Sequence, residues 1–248
     1  MSQNASRAVS RRRAVALASG AFALGLCAWL TYAASERAHA LTAALQRLSC
    51  MQLSVRDRNG RVLRQLPSAC GGAPRGRFTP LAEMPARLVQ LVRLAEDRRF
   101  EAHGGVDAAA AARALFSSLR AGRVVSGAST LSMQLSRLLH AAPRTRSLTD
   151  KLWQAWDALW LERRLSKPQI LEAYLNLAYY GAGAYGVGDA AQLYFGRPLL
   201  QLSDAELALL AVLPPAPAAY DLRRHPARPL PRRRAHFLPL AAGGDVPL

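Results

Sequence analysis

A chain of 248 residues, 51% of them hydrophobic, holds enough apolar material for one generous domain or two small lobes, which excludes disorder over its whole length. With 33 Lys and Arg against 16 Asp and Glu, the formal charge of +17 draws it to polyanions: nucleic acid, anionic headgroups or phosphorylated substrates. Its three cysteines are too few for a disulfide scaffold, and without a Cys-x-x-Cys pair or Cys/His spacing a zinc–thiolate site is set aside.

Arg7, Arg11, Arg12 and Arg13 stand before residues 14–34, an uncharged stretch that holds Leu17, Phe22, Leu24, Leu26, Trp29, Leu30 and Tyr32. About 20 apolar residues span a bilayer as a helix. The reading is a cytoplasmic basic segment over 1–13 and a transmembrane anchor over 14–34, with everything after Glu36 on the far side of the membrane. A cleavable signal peptide is the competing account, with Ala38-His39-Ala40 as its small-x-small site. Either way the body is exported. Cys27 lies in the span, whereas Cys50 and Cys70 would meet an oxidising compartment in which a disulfide between them is an even choice.

Two short strands over 53–66 are expected on either side of Arg58-Asn59-Gly60-Arg61, because Asn-Gly favours a tight hairpin turn. From Leu81 the period is helical, with helices over 85–99, 107–121, 131–140, 148–165, 167–177 and 203–213. Ser203 with Glu206 three positions later reads as a capping box. The fold class is therefore mainly α with a small β hairpin, the domain covering 50–222. From 223 to 248 the sequence is rich in Arg and Pro and offers no core helix.

Polar chemistry gathers in three runs. The first is Glu96-Asp97-Arg98-Arg99-Phe100-Glu101-Ala102-His103-Gly104-Gly105. Helical neighbours point about 100° apart, so Glu96 and Asp97 cannot share a cleft, while Glu96 and Phe100 share a face. One carboxylate is then free to catalyse and the other to brace. Desolvation at the end of an apolar helix would raise the Glu96 carboxyl toward a general base's range. The plainer alternative is a solvated, charged helix end. The second run, from Gly127 to Arg137, places glycine and the hydroxyls of Ser129 and Thr130 at a helix start whose free N–H groups suit a phosphate or sugar oxygen. It reads equally as a simple N-capped helix with Gln134 and Arg137 on the wet face. In the third run, Lys151 and Gln154 share a helix face and can reach one anionic group. Trp153, Trp156 and Trp160 fit core packing better than a sugar platform, and Glu162 with Arg163 and Arg164 reads as a structural pair.

Taken together, these runs, with Ile170-Leu171-Glu172-Ala173-Tyr174-Leu175-Asn176, Tyr194-Phe195-Gly196 and Leu213-Pro214-Pro215, resemble the peptidoglycan glycosyltransferase domain of class A penicillin-binding proteins, most closely its 1C-type branch. The resemblance implies a lysozyme-like, two-lobed fold in which the 4-hydroxyl of one lipid II sugar attacks the anomeric carbon of the growing strand. Undecaprenyl pyrophosphate leaves with inversion. On that likeness Glu96 is the general base and Gln154 the second catalytic candidate. Asp97, Phe100 and His103 shape the floor, and Ser129, Thr130, Gln134 and Arg137 form the donor side with Lys151 as a second cation. Asn176 and Glu172 mainly hold the cleft's shape.

One departure concerns metal chemistry. Gln154 stands where most of the family has glutamate, and an amide cannot bring a full negative charge to a metal ion. Arg146 would then stand in as a cation. No protein metal site is expected, and a divalent cation with the pyrophosphate is the remaining cofactor option. The expected partners are lipid II, the glycan strand, the membrane and cell-wall proteins such as transpeptidases, with no nucleic acid. No Ser-x-x-Lys nucleophile of a transpeptidase occurs. Two other functions stay open: a lysozyme-like enzyme that cleaves glycan with Glu96 as acid, and a weakly catalytic membrane-anchored scaffold.

Overall fold

The computed structural model describes the main chain of residues 2–48, 54–56, 62–65, 76–122, 129–140 and 147–214, and the side chains of these except 2–18, 54–56 and 62–65. Cys50, Cys70, the Asn59-Gly60 turn, residues 123–128, Arg146 and everything from Pro215 onward lie outside the described residues. The chain divides into two units, 1–42 and 43–248.

Helix α1 (Ser2–Leu48) is continuous. It encloses the expected anchor and runs beyond it at both ends, because the Ala-rich flanks favour helix as strongly as the apolar stretch does. Phe22, Leu24, Trp29 and Tyr32 stand exposed along it. Among the described residues no helix is long and apolar enough to cross a membrane. The side chains of 14–18, the start of the expected span, fall outside that set.

In the second unit the expected hairpin is present, β1 (Ser54–Arg56) pairing antiparallel with β2 (Val62–Gln65). Ser54 faces Gln65 and Val55 faces Arg64, after which a bulge shifts Arg56 onto Val62. The rest is mainly helical, as expected: α2 (Ala86–Glu96), α3 (Ala108–Ala121), α4 (Leu131–Leu139), α5 (Leu148–Glu162), α6 (Lys167–Leu177), α7 (Val187–Phe195) and α8 (Asp204–Val212). A second hairpin, unforeseen in the sequence, joins β3 (Tyr179–Gly181) to β4 (Ala184–Tyr185). Its turn puts Ala182 and Gly183 at φ of 49° and 88°, the left-handed pair that a two-residue hairpin needs.

The core is built around α4. Leu131 and Leu135, fully buried, pack against α5 and α6, where Leu161, Ile170 and Tyr174 close over them. On the other side, α2 lays Leu88, Leu91 and Val92, spaced three and four apart, against Leu207, Leu210 and Ala211 of α8. Each such leucine is worth about 2 kcal/mol of burial. The capping box of α8 is in place, with the Ser203 amide donating to Glu206 Oε2 at 2.8 Å. In contrast, α3 buries no residue at all: Leu115, Phe116 and Leu119 are 63%, 66% and 73% exposed. They are not core.

Candidate active site

The helix expected over 85–99 stops at Glu96. At Asp97 the backbone leaves the helical region (φ −159°, ψ 83°), and Phe100 starts a separate short 3-10 turn, so Glu96 and Phe100 do not share a helical face. The reason is a long-range contact that overrides local period. Buried Asp97 turns inward, accepting the Leu131 amide of α4 at 3.0 Å on Oδ2 and meeting His103 Nε2 at 3.0 and 3.1 Å. His103 Nδ1 in turn accepts the Gly105 amide at 3.2 Å, so the ring's proton sits on Nε2 and is donated to Asp97. Phe100, fully buried, meets the same ring edge-on at 6.3 Å between centroids. Gly105 adopts φ 106°, and a Cβ there would fall 2.7 Å from the Ala158 carbonyl oxygen. The loop therefore meets α5 backbone to backbone.

With Asp97 committed, Glu96 is left at the mouth. Its Oε2 receives Gln134 Nε2 at 3.0 Å, and Gln134 Oε1 receives the Tyr174 hydroxyl at 3.4 Å. Gln134 is thus held at both ends of its amide and does not lie on a wet face. Tyr180, fully buried, lies near enough that the Glu96 charge, after burial itself, pushes its hydroxyl far above the ordinary tyrosine range. Glu96 and Ser129 both line a cavity of about 210 Å³, whose rim carries Arg98, Arg99 and Arg113. Arg99 is tied to Asp107 at 3.4 Å, and Asp107 caps α3 by accepting the Ala110 amide at 2.9 Å.

The helix start read as an open anion site is spoken for. Thr130 caps α4 by accepting the Met133 amide at 3.2 Å and donates to the Gly105 carbonyl at 2.6 Å, while Asp97 takes the Leu131 amide. What faces outward is the Ser129 hydroxyl, which Lys151 Nζ reaches at 3.1 Å. Arg137 is partly exposed on the last turn of α4, and Gln154 is buried on α5. Asn176 is wholly enclosed, accepting the Thr79 amide at 2.7 Å and donating to the Thr79 and Glu172 carbonyls at 2.9 Å each. Glu172 accepts the Leu81 amide at 2.6 Å. These two residues pin the 79–81 segment to α6 and leave no donor for a ligand at Asn176 Nδ2, which already makes two bonds. Of the tryptophans, Trp160 is buried, while Trp153 and Trp156 are half-buried and edge-on to each other.

Glu162 does not pair with Arg163 and Arg164. It takes the Ser132 hydroxyl at 2.6 Å and Lys167 Nζ at 2.7 Å, while Arg164 lies over the Trp160 ring. Among the described residues no three His, Cys, Asp or Glu side chains converge on a point, and Asp97 and His103 are spent on each other.

A family model described as Transglycosylase matches residues 59–239, well over half of the chain. The chain belongs to the transglycosylase family. Penicillin-binding protein 1A of Aquifex aeolicus is 44% identical over 156 residues, which is 63% of this chain and 21% of that protein. Penicillin-binding protein 1A of Neisseria lactamica is 36% identical over 207 residues, 84% of this chain and 25% of that one. Penicillin-binding protein 4 of Bacillus subtilis is 38% identical over 148 residues, 60% of this chain and 24% of its own length. This transglycosylase chain therefore spans about a fifth to a quarter of these relatives, and the likeness to class A penicillin-binding proteins read from the motifs is borne out.

Two residues that pack around the candidate site escaped the sequence reading. Lys167 donates to the His103 carbonyl at 2.5 Å as well as to Glu162, and sits 4.4 Å over the Phe100 ring, locking the 97–105 loop to the start of α6. Tyr180 is fully buried within range of the Glu96 charge. For Lys167 the only signal was a lone cation in the first turn of an N-capped helix, where a positive charge is locally unfavourable and needs a reason. For Tyr180 there was no signal in the spacing.

Proposed function

We propose that the chain polymerises lipid II into the glycan strands of peptidoglycan. The observation that carries this reading is Glu96: a carboxylate in a polar, arginine-rimmed cavity, steered by Gln134 at 3.0 Å, with its neighbour Asp97 fully committed to His103 and Leu131. The 4-hydroxyl of the acceptor sugar loses its proton to Glu96 as its oxygen bonds to the anomeric carbon of the donor strand. The bond from that carbon to the pyrophosphate oxygen breaks on the opposite face, and undecaprenyl pyrophosphate departs with the electron pair. Lys151, Arg137 and Arg146 offset its charge, the first through a position beside Ser129. No step is routed through a metal ion, and a divalent cation would arrive with the pyrophosphate rather than on a protein cage.

The fold we propose for the second unit is the lysozyme-like, two-lobed one, and the setting is a bacterial inner membrane crossed once by α1, the catalytic domain on the periplasmic side. The exposed Phe22, Leu24, Trp29 and Tyr32 support the anchor, and the bare apolar face of α3 supports a domain that leans on the headgroups. Lipid II never leaves the bilayer, so a site close to its surface is required. The glycan strand and transpeptidases of the same wall are the proposed partners.

The test is purified protein in detergent with labelled lipid II, products separated by length. Polymer is expected. Cleavage of added glycan strands without polymer would replace the reading by a lytic one, and neither activity would leave a scaffold.

A further inference from the structure

One buried acid takes no part in the chemistry described so far. Asp157 on α5 is completely enclosed, yet it is not packed among apolar groups alone: the Ser136 hydroxyl of α4, equally enclosed, donates to its Oδ2 at 2.7 Å. His140, at the end of α4, brings Nε2 to 3.2 Å from the same oxygen, close enough for an ion pair but out of line for a hydrogen bond. One turn earlier on α4, Ser132 makes the matching contact with Glu162. Four residues forward on α4 thus correspond to five residues back on α5, which gives two polar rungs across an antiparallel helix pair.

We propose that Asp157 is a positioning residue: through Ser136 it sets the register of α4 against α5, and so keeps Gln134 within reach of Glu96. Leu131 and Leu135 of α4 and Ala158 and Leu161 of α5 are buried alongside these rungs, and apolar contacts of that kind are non-directional. A slip of one residue advances a helix by about 1.5 Å and turns its side chains by about 100°. That would carry Gln134 out of its 3.0 Å contact with the base. One rung fixes a point and two fix an axis. The Ser132 rung is already tied through Lys167 to the 97–105 loop, and the Ser136 rung supplies the second point, one residue before Arg137. Enclosing a carboxylate costs more than enclosing a leucine, and buried polar groups of this kind are best attested where they specify register.

The double variant Ser136→Ala/Asp157→Leu tests this, because it replaces both ends of the rung by apolar groups at once, so that neither is left as a polar group facing an apolar one, although His140 loses its nearby carboxylate. Its thermal melt, followed by circular dichroism, should stay near that of the unaltered protein, while polymerisation of lipid II falls on the order of a hundredfold, the cost of an ångström-scale misplacement. The second readout needs no turnover: in 15N-labelled protein the Gln134 side-chain amide signal should follow the titration of Glu96, with Glu96→Gln as the control, and lose that coupling in the double variant. Asp157→Asn, which keeps an acceptor for Ser136, should restore both rate and coupling. A folded double variant with full rate or intact coupling overturns the proposal, and so does an Asp157→Asn as defective as the leucine. Should the double variant not fold, Ser136→Ala alone reads the same two signals. The rate arm rests on the proposed polymerase reading. If the unaltered protein makes no polymer, that reading fails, and the Gln134 signal alone decides the positioning.

Discussion

Helices α3 and α4 follow one another in the chain, and both carry apolar residues at helical spacing, yet they are used in opposite ways. Five of the nine residues of α4 are buried, and its first amide, its serines and Gln134 are all engaged by side chains from other elements. None of the fourteen residues of α3 is buried, and its Leu115, Phe116 and Leu119 face outward. The difference teaches that periodicity reports a face and not its partner. The helix whose face meets other elements holds Gln134 against Glu96, and the helix whose apolar face stays exposed is the one proposed for a lipid surface.

The largest effect should come from the fixed side. Glu96→Gln keeps the volume and a hydrogen-bond partner for Gln134, so the helical circular dichroism should be unchanged while polymerisation falls on the order of a thousandfold. A variant that polymerises at an undiminished rate would remove Glu96 as the base. Next, Asp97→Ala strips partners from both the Leu131 amide and His103 inside the core, and should cost about 3 to 5 kcal/mol in denaturant unfolding. A loss below about 1 kcal/mol would mean that the clasp does not hold α4. On the loose side, Phe116→Asn with Leu119→Ser should leave stability within about 0.5 kcal/mol, because neither side chain is buried. Co-sedimentation with anionic liposomes, in protein lacking residues 1–34, should weaken. A fall in the melting temperature would instead place α3 in the core.

The smallest effect concerns acid. The Ala110 amide, ahead of Arg99, holds the Asp107 carboxyl below its ordinary 3.8, and the Ser203 amide and hydroxyl hold Glu206 below 4.5. Both acids are depressed in the folded state. Their contribution is therefore complete above about pH 4.5 and is lost as pH falls through the folded values. Asp189, raised by burial, acts in the other sense, its penalty appearing as pH climbs past the ordinary carboxylate range. Asp107→Asn should lower the neutral plateau of a stability–pH curve and so shallow its acid limb. An unaltered acid limb would show that the cap on α3 is idle.

Much of this architecture was legible because local signals agreed with tertiary ones. Thr130, Ser147, Ser166 and Ser203 each mark a helix start that the structure contains, and the two strands expected within 53–66 pair with each other. The family, too, could be read from motif order. What failed was set by distant residues. The helix stop at Asp97 depends on Leu131, 34 positions away, and Glu162 ignores the adjacent arginines for Ser132 and Lys167. The β3–β4 hairpin hides behind Ala182, a residue that seldom takes positive φ, and with it α7 was missed. Glu96 and Gln134, 38 positions apart, meet through the packing of α4 and not through any spacing.

The hydrogen bonding of His103 has a bearing on proton traffic. In the proposed reaction Glu96 ends each cycle carrying a proton and must be rid of it before the next sugar arrives. The imidazole nearby is no relay, since Nε2 already gives to Asp97 and Nδ1 already receives from Gly105, which leaves the ring without a vacant lone pair. Tyr180 is sealed in and held firmly neutral, so it cannot serve as an outlet either. In that reaction the proton would be left to solvent entering the arginine-rimmed cavity, which would make the interval between additions a matter of solvent access: a strand that filled the mouth too tightly would hold the proton, and the enzyme, in place.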